Sequence, residues 1–222
     1  PLLYREVPFD PSALAPVSLL ALAANVICVN AELPARNLKD LIALAKAQPG
    51  KLRYGSSGRG SSSFLTLELF KSLAGVDIEE VPYKSTSQAI TETMGGLIDI
   101  YPPNIVSAIS MLKSGRIRAL AVTSAKRSSA LPDVPAVGEF VPGYDATTGI
   151  YGVLVPAKTP KTIVDRLQKA IAEVSKDPTY RDKIEAEGGE VVGSTAVEYA
   201  TYLARERDKW AGLFAKLGIK PQ

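Results

Sequence analysis

Between residues 54 and 64 the chain reads Tyr54-Gly55-Ser56-Ser57-Gly58-Arg59-Gly60-Ser61-Ser62-Ser63-Phe64, packing backbone donors and hydroxyls between a short strand and an amphipathic helix. The chemistry such a segment can do is anion capture. Glycine lets the main chain approach a ligand closely, and the first N–H groups of a helix lack intrahelical partners and carry its positive end. A carboxylate or a phosphate suits that position. The loop lacks the Lys-Ser/Thr pair that follows the last glycine of a nucleotide-binding P-loop, which argues against nucleotide. The competing reading is that Ser61 or Ser62 only caps the helix and the glycines only turn the chain.

Composition removes other chemistries. There is no histidine and a single cysteine, Cys28, so Ser-His-Asp and Cys-His nucleophile systems and mixed His/Cys zinc sites cannot be assembled. Asp and Glu do not fall in the short spacing of a calcium loop. Acid/base catalysis without a cofactor would rest on carboxylates, Lys or Tyr, and no paired carboxylates stand at strand ends. We therefore expect neither an enzyme nor a metal or organic cofactor. Of the 222 residues, 46% are apolar and 22% charged, as in an ordinary globular chain. Lys plus Arg number 26 against 23 Asp plus Glu, and they are spread along helices, so nucleic acid is not an expected partner. The apolar run from Val17 to Val29 is broken by Ser18 and Asn25, and reads as a strand pair or a bent strand, not a membrane span. No basic segment with a following apolar stretch opens the chain, so no signal peptide is expected in it. One cysteine cannot form an internal disulfide and leaves the redox compartment open.

The elements that would hold the loop alternate from residue 37 onward as helix and strand, the mark of α/β architecture with mainly parallel pairing. Helices are expected at 37–48, 62–74, 87–94 and 104–113, and strands at 51–56, 79–83, 97–101 and 117–123. Each strand ends in a polar loop, and ligands collect at the carboxyl ends of strands in open α/β sheets. A Pro, Gly and Ser-rich connection over 126–148 precedes a strand at 149–155 and helices at 160–175, 178–187 and 196–217. The last helix carries Tyr199, Tyr202, Leu203, Trp210, Phe214 and Leu217 at helical spacing, read as a packing face in preference to an aromatic ligand box.

The segments Phe9-Asp10-Pro11, Pro49-Gly50-Lys51-Leu52-Arg53-Tyr54, the glycine-serine loop, Val81-Pro82-Tyr83-Lys84, Gly95-Gly96-Leu97-Ile98-Asp99, the block from Arg118 to Ser128 and Leu131-Pro132-Asp133-Val134-Pro135 resemble, in that order, the Bug-type solute receptors of tripartite tricarboxylate transporters. The resemblance runs from about residue 8 to the end. It implies an α/β, two-lobed periplasmic-binding-protein fold (type II), with 31–144 as lobe two and 1–30 plus 145–222 as the remainder of lobe one. It also implies a periplasmic location, no catalysis, and capture of a small organic carboxylate in an interlobe cleft for membrane transporter subunits.

Carried over by position, the resemblance puts Ser56, Ser57, Gly58, Gly60, Ser61, Ser62 and Ser63 on the ligand, with Tyr83 and Lys84 at the end of the next strand. Asn104 matches a ligand-lining asparagine, and Thr147 and Thr148 match a polar pair bordering the ligand. Lys84 reads either as a counter-charge or as a solvated lysine. Three departures stand out: Phe64 where the family commonly has His, Ser85-Thr86 for two glycines, and Pro102-Pro103 for an aromatic-Asp pair. Loss of that acidic group favours a plain carboxylate over an amino acid.

The family also opens with a strand, a Pro-Gly-rich loop and a helix that have no counterpart here, so lobe one is expected to be incomplete at its N-terminus. Two consequences stay open. The chain either still binds carboxylate, or has lost binding and acts as a self-associating, homo-oligomeric or interaction protein whose uncovered face is buried against another copy.

Overall fold

The computed structural model describes residues 2–221, which form two α/β units. One contains the chain up to Leu22, Ile150–Glu185 and the chain from Gly189; the other contains Ala23–Gly149 and Ala186–Gly188. The resemblance implies such a division into two α/β parts.

In the first unit, β1 (Leu14–Ala23) is the middle strand of a three-stranded sheet between β7 (Gly149–Pro156) and β8 (Gly189–Val191). Helices α5 (Lys161–Val174), α6 (Pro178–Ala186) and α7 (Ala196–Leu217) belong to the same part of the chain. Thr195 and Glu198 close a capping box at the start of α7, and Gly218, in the left-handed region at φ +67°, ends it. Tyr199, Trp210, Leu213 and Phe214 are its buried residues, so the aromatic face is a packing face, with Leu213 added and Leu217 left 36% exposed.

The second unit is built on a five-stranded sheet ordered β4-β3-β5-β2-β6: β4 (Glu79–Pro82), β3 (Arg53–Ser56), β5 (Ile100–Tyr101), β2 (Val26–Asn30) and β6 (Ile117–Val122). Every residue of β2 is buried, as befits an inner strand covered on both faces. Its Cys28 is fully buried and has no disulfide partner. The pairing is mixed where the alternation predicted mainly parallel. β3 runs parallel to β4 and β5, while β2 lies antiparallel to both β5 and β6. The physical reason is the route of entry. The chain enters β2 from the edge at which β3, β4, β5 and β6 end, so β2 alone is reversed. Of the two forms expected for the apolar stretch 17–29, a strand pair or a bent strand, the structure has the pair, and its two strands belong to different sheets.

Helices α1 (Leu38–Ala47), α2 (Ser62–Ala74), α3 (Thr86–Met94) and α4 (Ile105–Leu112) complete this unit. Each begins at a side-chain cap: Asn37 Oδ1 accepts from Asp40 N, Ser61 Oγ from Phe64 N, Ser85 Oγ from Gln88 N, and Asn104 Oδ1 from Ser107 N. Leu38, Leu41 and Ala45 on α1, and Phe64, Leu67 and Phe70 on α2, recur every three or four residues and are buried. β5 is shorter than the expected 97–101. Leu97 N–H bonds back to the Glu92 carbonyl (2.9 Å) and Leu97 is 60% exposed, so pairing starts only at Ile100.

Candidate functional site

All expected ligand residues fall at one edge of the five-stranded sheet. The connections β3–α2, β4–α3 and β5–α4 leave this edge, β6 ends there and β2 begins there. Three helices therefore start side by side at the ends of three parallel strands. That arrangement gathers positive helix ends on one rim.

The loop after β3 is held by its own hydrogen bonds. Fully buried Ser56 donates from Oγ to Glu80 Oε1 (2.5 Å) and accepts there from Gly58 N (3.1 Å). Ser57 N donates to Ser63 Oγ (3.0 Å), Ser61 N to the Gly58 carbonyl (3.1 Å), and the Ser61 and Ser63 hydroxyls lie 3.0 Å apart. Gly58 and Gly60 sit at φ +92° and +81°, which L side chains rarely adopt. A Cβ on Gly58 would meet nothing within 4 Å, so this glycine serves the turn, not a tight contact within the protein.

These bonds divide the serines by availability. Ser61 caps α2 and Ser63 receives Ser57, so both hydroxyls are engaged. Ser62, the first residue of α2, and Ser57 are exposed. The first bond back to the cap carbonyl is Leu65 N to Ser61 O (3.0 Å), which leaves the N–H groups of Ser62 and Ser63 ahead of the helical ladder. Ser57 Oγ lies 3.4 Å from Thr86 Oγ1, linking this loop to the start of α3.

Tyr83 is joined to the loop through its backbone, its N–H donating to the Ser56 carbonyl (2.8 Å). Its hydroxyl donates to Glu92 Oε2 (2.5 Å), and burial together with that carboxylate pushes its pKa up to about 12. Lys84 is exposed, as is Arg59 in the glycine-serine loop, and among the described residues neither makes an ion pair. Both cations stand on the rim that carries the helix starts.

Asn104 spends Oδ1 on its cap and keeps an exposed amide. Thr147 is turned locally onto Asp145, donating from N and Oγ1 to Asp145 Oδ1 (3.3 and 3.0 Å). Thr148 Oγ1 is buried without a hydrogen-bond partner, alone in that among the described residues. The threonines follow Ala146, whose N–H bonds to the Thr123 carbonyl just past β6 (3.1 Å). β6 lies three strand spacings from β3, about 14 Å at ordinary sheet geometry. The glycine-serine loop, Tyr83 and Lys84 thus cluster at one end of the rim and the threonines at the other, with Asn104 between.

Asn25, which in the sequence only breaks an apolar run, joins the two ends. It is 2% exposed, and its Nδ2 donates to the Pro102 carbonyl (3.0 Å) and reaches Thr66 Oγ1 on α2 (3.4 Å). Its backbone exchanges bonds with Thr123, N to Oγ1 and O from N, both at 2.9 Å. Tyr144 OH closes the cluster by donating to the Thr66 carbonyl (3.1 Å). A lone Asn inside an apolar run was the available signal.

A cavity of about 360 Å³ lies at the opposite edge of the sheet, lined by Asn30, Glu32, Leu33, Pro34, Met94 and Asp99 among others. Two carboxylates and the C-terminal end of α3 make it a poor place for an anion. Among the described residues, no three His, Cys, Asp or Glu side chains come together as a metal site.

A family model described as "Tripartite tricarboxylate transporter family receptor" matches residues 1–219. A UPF0065 protein of Bordetella bronchiseptica is 32% identical over 222 residues, covering all of this chain, which spans 65% of that relative's length, just under two thirds. The structure of an R. palustris protein with adipate superposes with a TM-score of 0.87 at 32% identity, covering 100% of this chain and 74% of that one. The periplasmic binding protein BugD gives a TM-score of 0.81 at 28% identity, covering 100% and 75%.

Proposed function

The chain belongs to the tripartite tricarboxylate transporter receptor family, and from that premise we propose that it acts in the periplasm as a solute-binding protein for a small organic carboxylate, which it hands to membrane transporter subunits. The observation that carries this reading is the rim of the five-stranded sheet. Three capped helices start there, a hydrogen-bonded glycine-serine loop offers the Ser62 hydroxyl and two helix N–H groups, and Arg59 and Lys84 supply positive charge. An anion placed there gains charge-assisted hydrogen bonds without reorganising the loop. Adipate, found with an R. palustris relative, supplies the first compound to try. No catalytic step is assigned to the chain.

The test is calorimetric titration of the chain with adipate, a four-carbon dicarboxylate and a six-carbon monocarboxylate. The reading expects saturable binding of at least one of them, weakened by added salt, and weakened about two- to fivefold in Arg59→Gln or Lys84→Gln, the worth of one exposed charge pair. A folded sample that binds none of a wider carboxylate panel would overturn it.

A second reading, self-association, is favoured by the first unit's surface. Helix α5 buries none of its residues, with Ile163 and Val174 49% and 52% exposed, and β7 exposes Tyr151 and Leu154. Apolar surface of this kind is covered when a second copy docks on it. Sedimentation equilibrium at high micromolar concentration decides: a dimer supports this reading and a monomer removes it.

A further inference from the structure

Ser56 lies between two partners that use the two sides of one hydroxyl. Its single proton goes to Glu80 Oε1 at 2.5 Å, which leaves a lone pair to receive Gly58 N–H at 3.1 Å. Ser56 is fully buried at the end of β3, and Glu80 comes from the neighbouring parallel strand, where it pairs in register with Tyr54. With Glu80 accepting, the Ser56 rotor has one satisfied orientation. Gly58, at φ +92°, is the residue at which the chain turns out of the strand into the loop.

We propose that Glu80 is a positioning residue for the glycine-serine loop: by fixing the Ser56 hydroxyl it holds Gly58 and so sets the loop before any ligand arrives. The affinity part of this inference rests on the carboxylate reading above; the loop-holding part does not. Two consequences follow. Gly58 N–H is spent inside the protein, so the ligand is met further along, at Gly60, Ser62 and the start of α2. Glu80 also places negative charge one hydroxyl behind an anion loop, where charge alone would oppose a carboxylate.

Those two effects have opposite signs, which makes them separable. If Glu80 acted only through its charge, Glu80→Gln and Glu80→Leu would both tighten carboxylate binding. If it acts through Ser56, Glu80→Gln, which keeps an oxygen to accept the hydroxyl, retains most of the lock, and Glu80→Leu loses it. The decisive measurement needs no ligand. Amide hydrogen exchange at Gly58, read by NMR on the whole chain, should speed up about tenfold in Glu80→Leu and in Ser56→Ala, the loss of roughly one charge-assisted hydrogen bond, and less than threefold in Glu80→Gln. The double variant Ser56→Ala/Glu80→Leu should exchange no faster than Ser56→Ala alone, since both act on one link.

Gly58 exchange within twofold of wild type in Ser56→Ala and Glu80→Leu would overturn the proposal, as would additive acceleration in the double variant. If Glu80→Leu does not fold, Ser56→Ala and Glu80→Gln carry the same comparison. A chain that binds no carboxylate at all would refute the functional reading while the exchange result still decides the lock. In a binding chain, Glu80→Gln, which loses the opposing charge but keeps most of the lock, is expected to bind no more weakly than wild type, and Glu80→Leu more weakly than Glu80→Gln; Glu80→Leu binding as tightly as Glu80→Gln would sink the positioning role.

Discussion

Ser61 and Ser62 are neighbours with the same side chain, yet the structure gives them separable jobs, and alanine at each should show it. Ser61 Oγ accepts from Phe64 N at 3.3 Å and touches the Ser63 hydroxyl at 3.0 Å, so Ser61→Ala removes the cap of a 13-residue helix. Loss of such a cap costs about 1 kcal/mol, with a few tenths more for the hydroxyl contact. Ser62 is exposed at the first helical position, and alanine there should change stability by less than about 0.5 kcal/mol. On the carboxylate reading its exposed hydroxyl meets the ligand, so Ser62→Ala should weaken carboxylate binding by about 1 kcal/mol, roughly fivefold. Urea unfolding followed by far-ultraviolet circular dichroism measures the first effect, since Trp210 belongs to the other unit, and calorimetric titration measures the second. Stability lost equally in both variants, or affinity unchanged in Ser62→Ala, would refute the division of labour.

Two further outcomes are expected. Asn25→Ala leaves the Pro102 carbonyl without its side-chain donor and removes packing at a site 2% exposed, and should destabilise the second unit by about 2–3 kcal/mol in the same urea assay; a loss under 0.5 kcal/mol would count against its joining role. Burial raises the pKa values of Tyr54 and Tyr144 above the ordinary tyrosine value, with carboxylates nearby adding to the effect, so the unfolded chain gives up these protons first. The stability they contribute is then complete below about pH 10 and falls as pH rises above it. Ultraviolet titration should show both phenols appearing only as the fold is lost, and reversible ionisation near pH 10 in folded protein would contradict this.

Much of the framework was legible because it depends on local chemistry. Asn37, Asn104 and Thr195 start helices where a short polar side chain precedes apolar spacing, and Gly75 and Gly218 stop them with positive φ, whereas α3 begins one residue before the expected 87, on a Ser85 cap. The direction of β2 was not legible. Alternation says which face of a strand is buried, not which way its neighbours run, and two residues, Ala24 and Asn25, carry the chain from one sheet to another. The serine loop was legible as a set of donors, but what engages the Ser56 and Ser57 hydroxyls lies far along the chain. Glu80 is 24 residues from Ser56 and Thr86 is 29 from Ser57. Arg59 lies in the same loop, but a lone arginine between two glycines matches no pattern, and only the fold puts its charge beside the helix starts.

Cys28 stands in the middle of β2, fully buried, and burial pushes its thiol well above the ordinary range, so it is neither a thiolate nor within reach of an oxidant while the sheet is closed. In an oxidising compartment that placement protects the folded molecule from mixed disulfides and leaves only the opened chain open to cross-linking. The same residue is a built-in clock. Its labelling by a maleimide counts openings of the five-stranded sheet, separates the motion of that unit from anything the tryptophan-bearing unit does, and shows whether a bound carboxylate slows them.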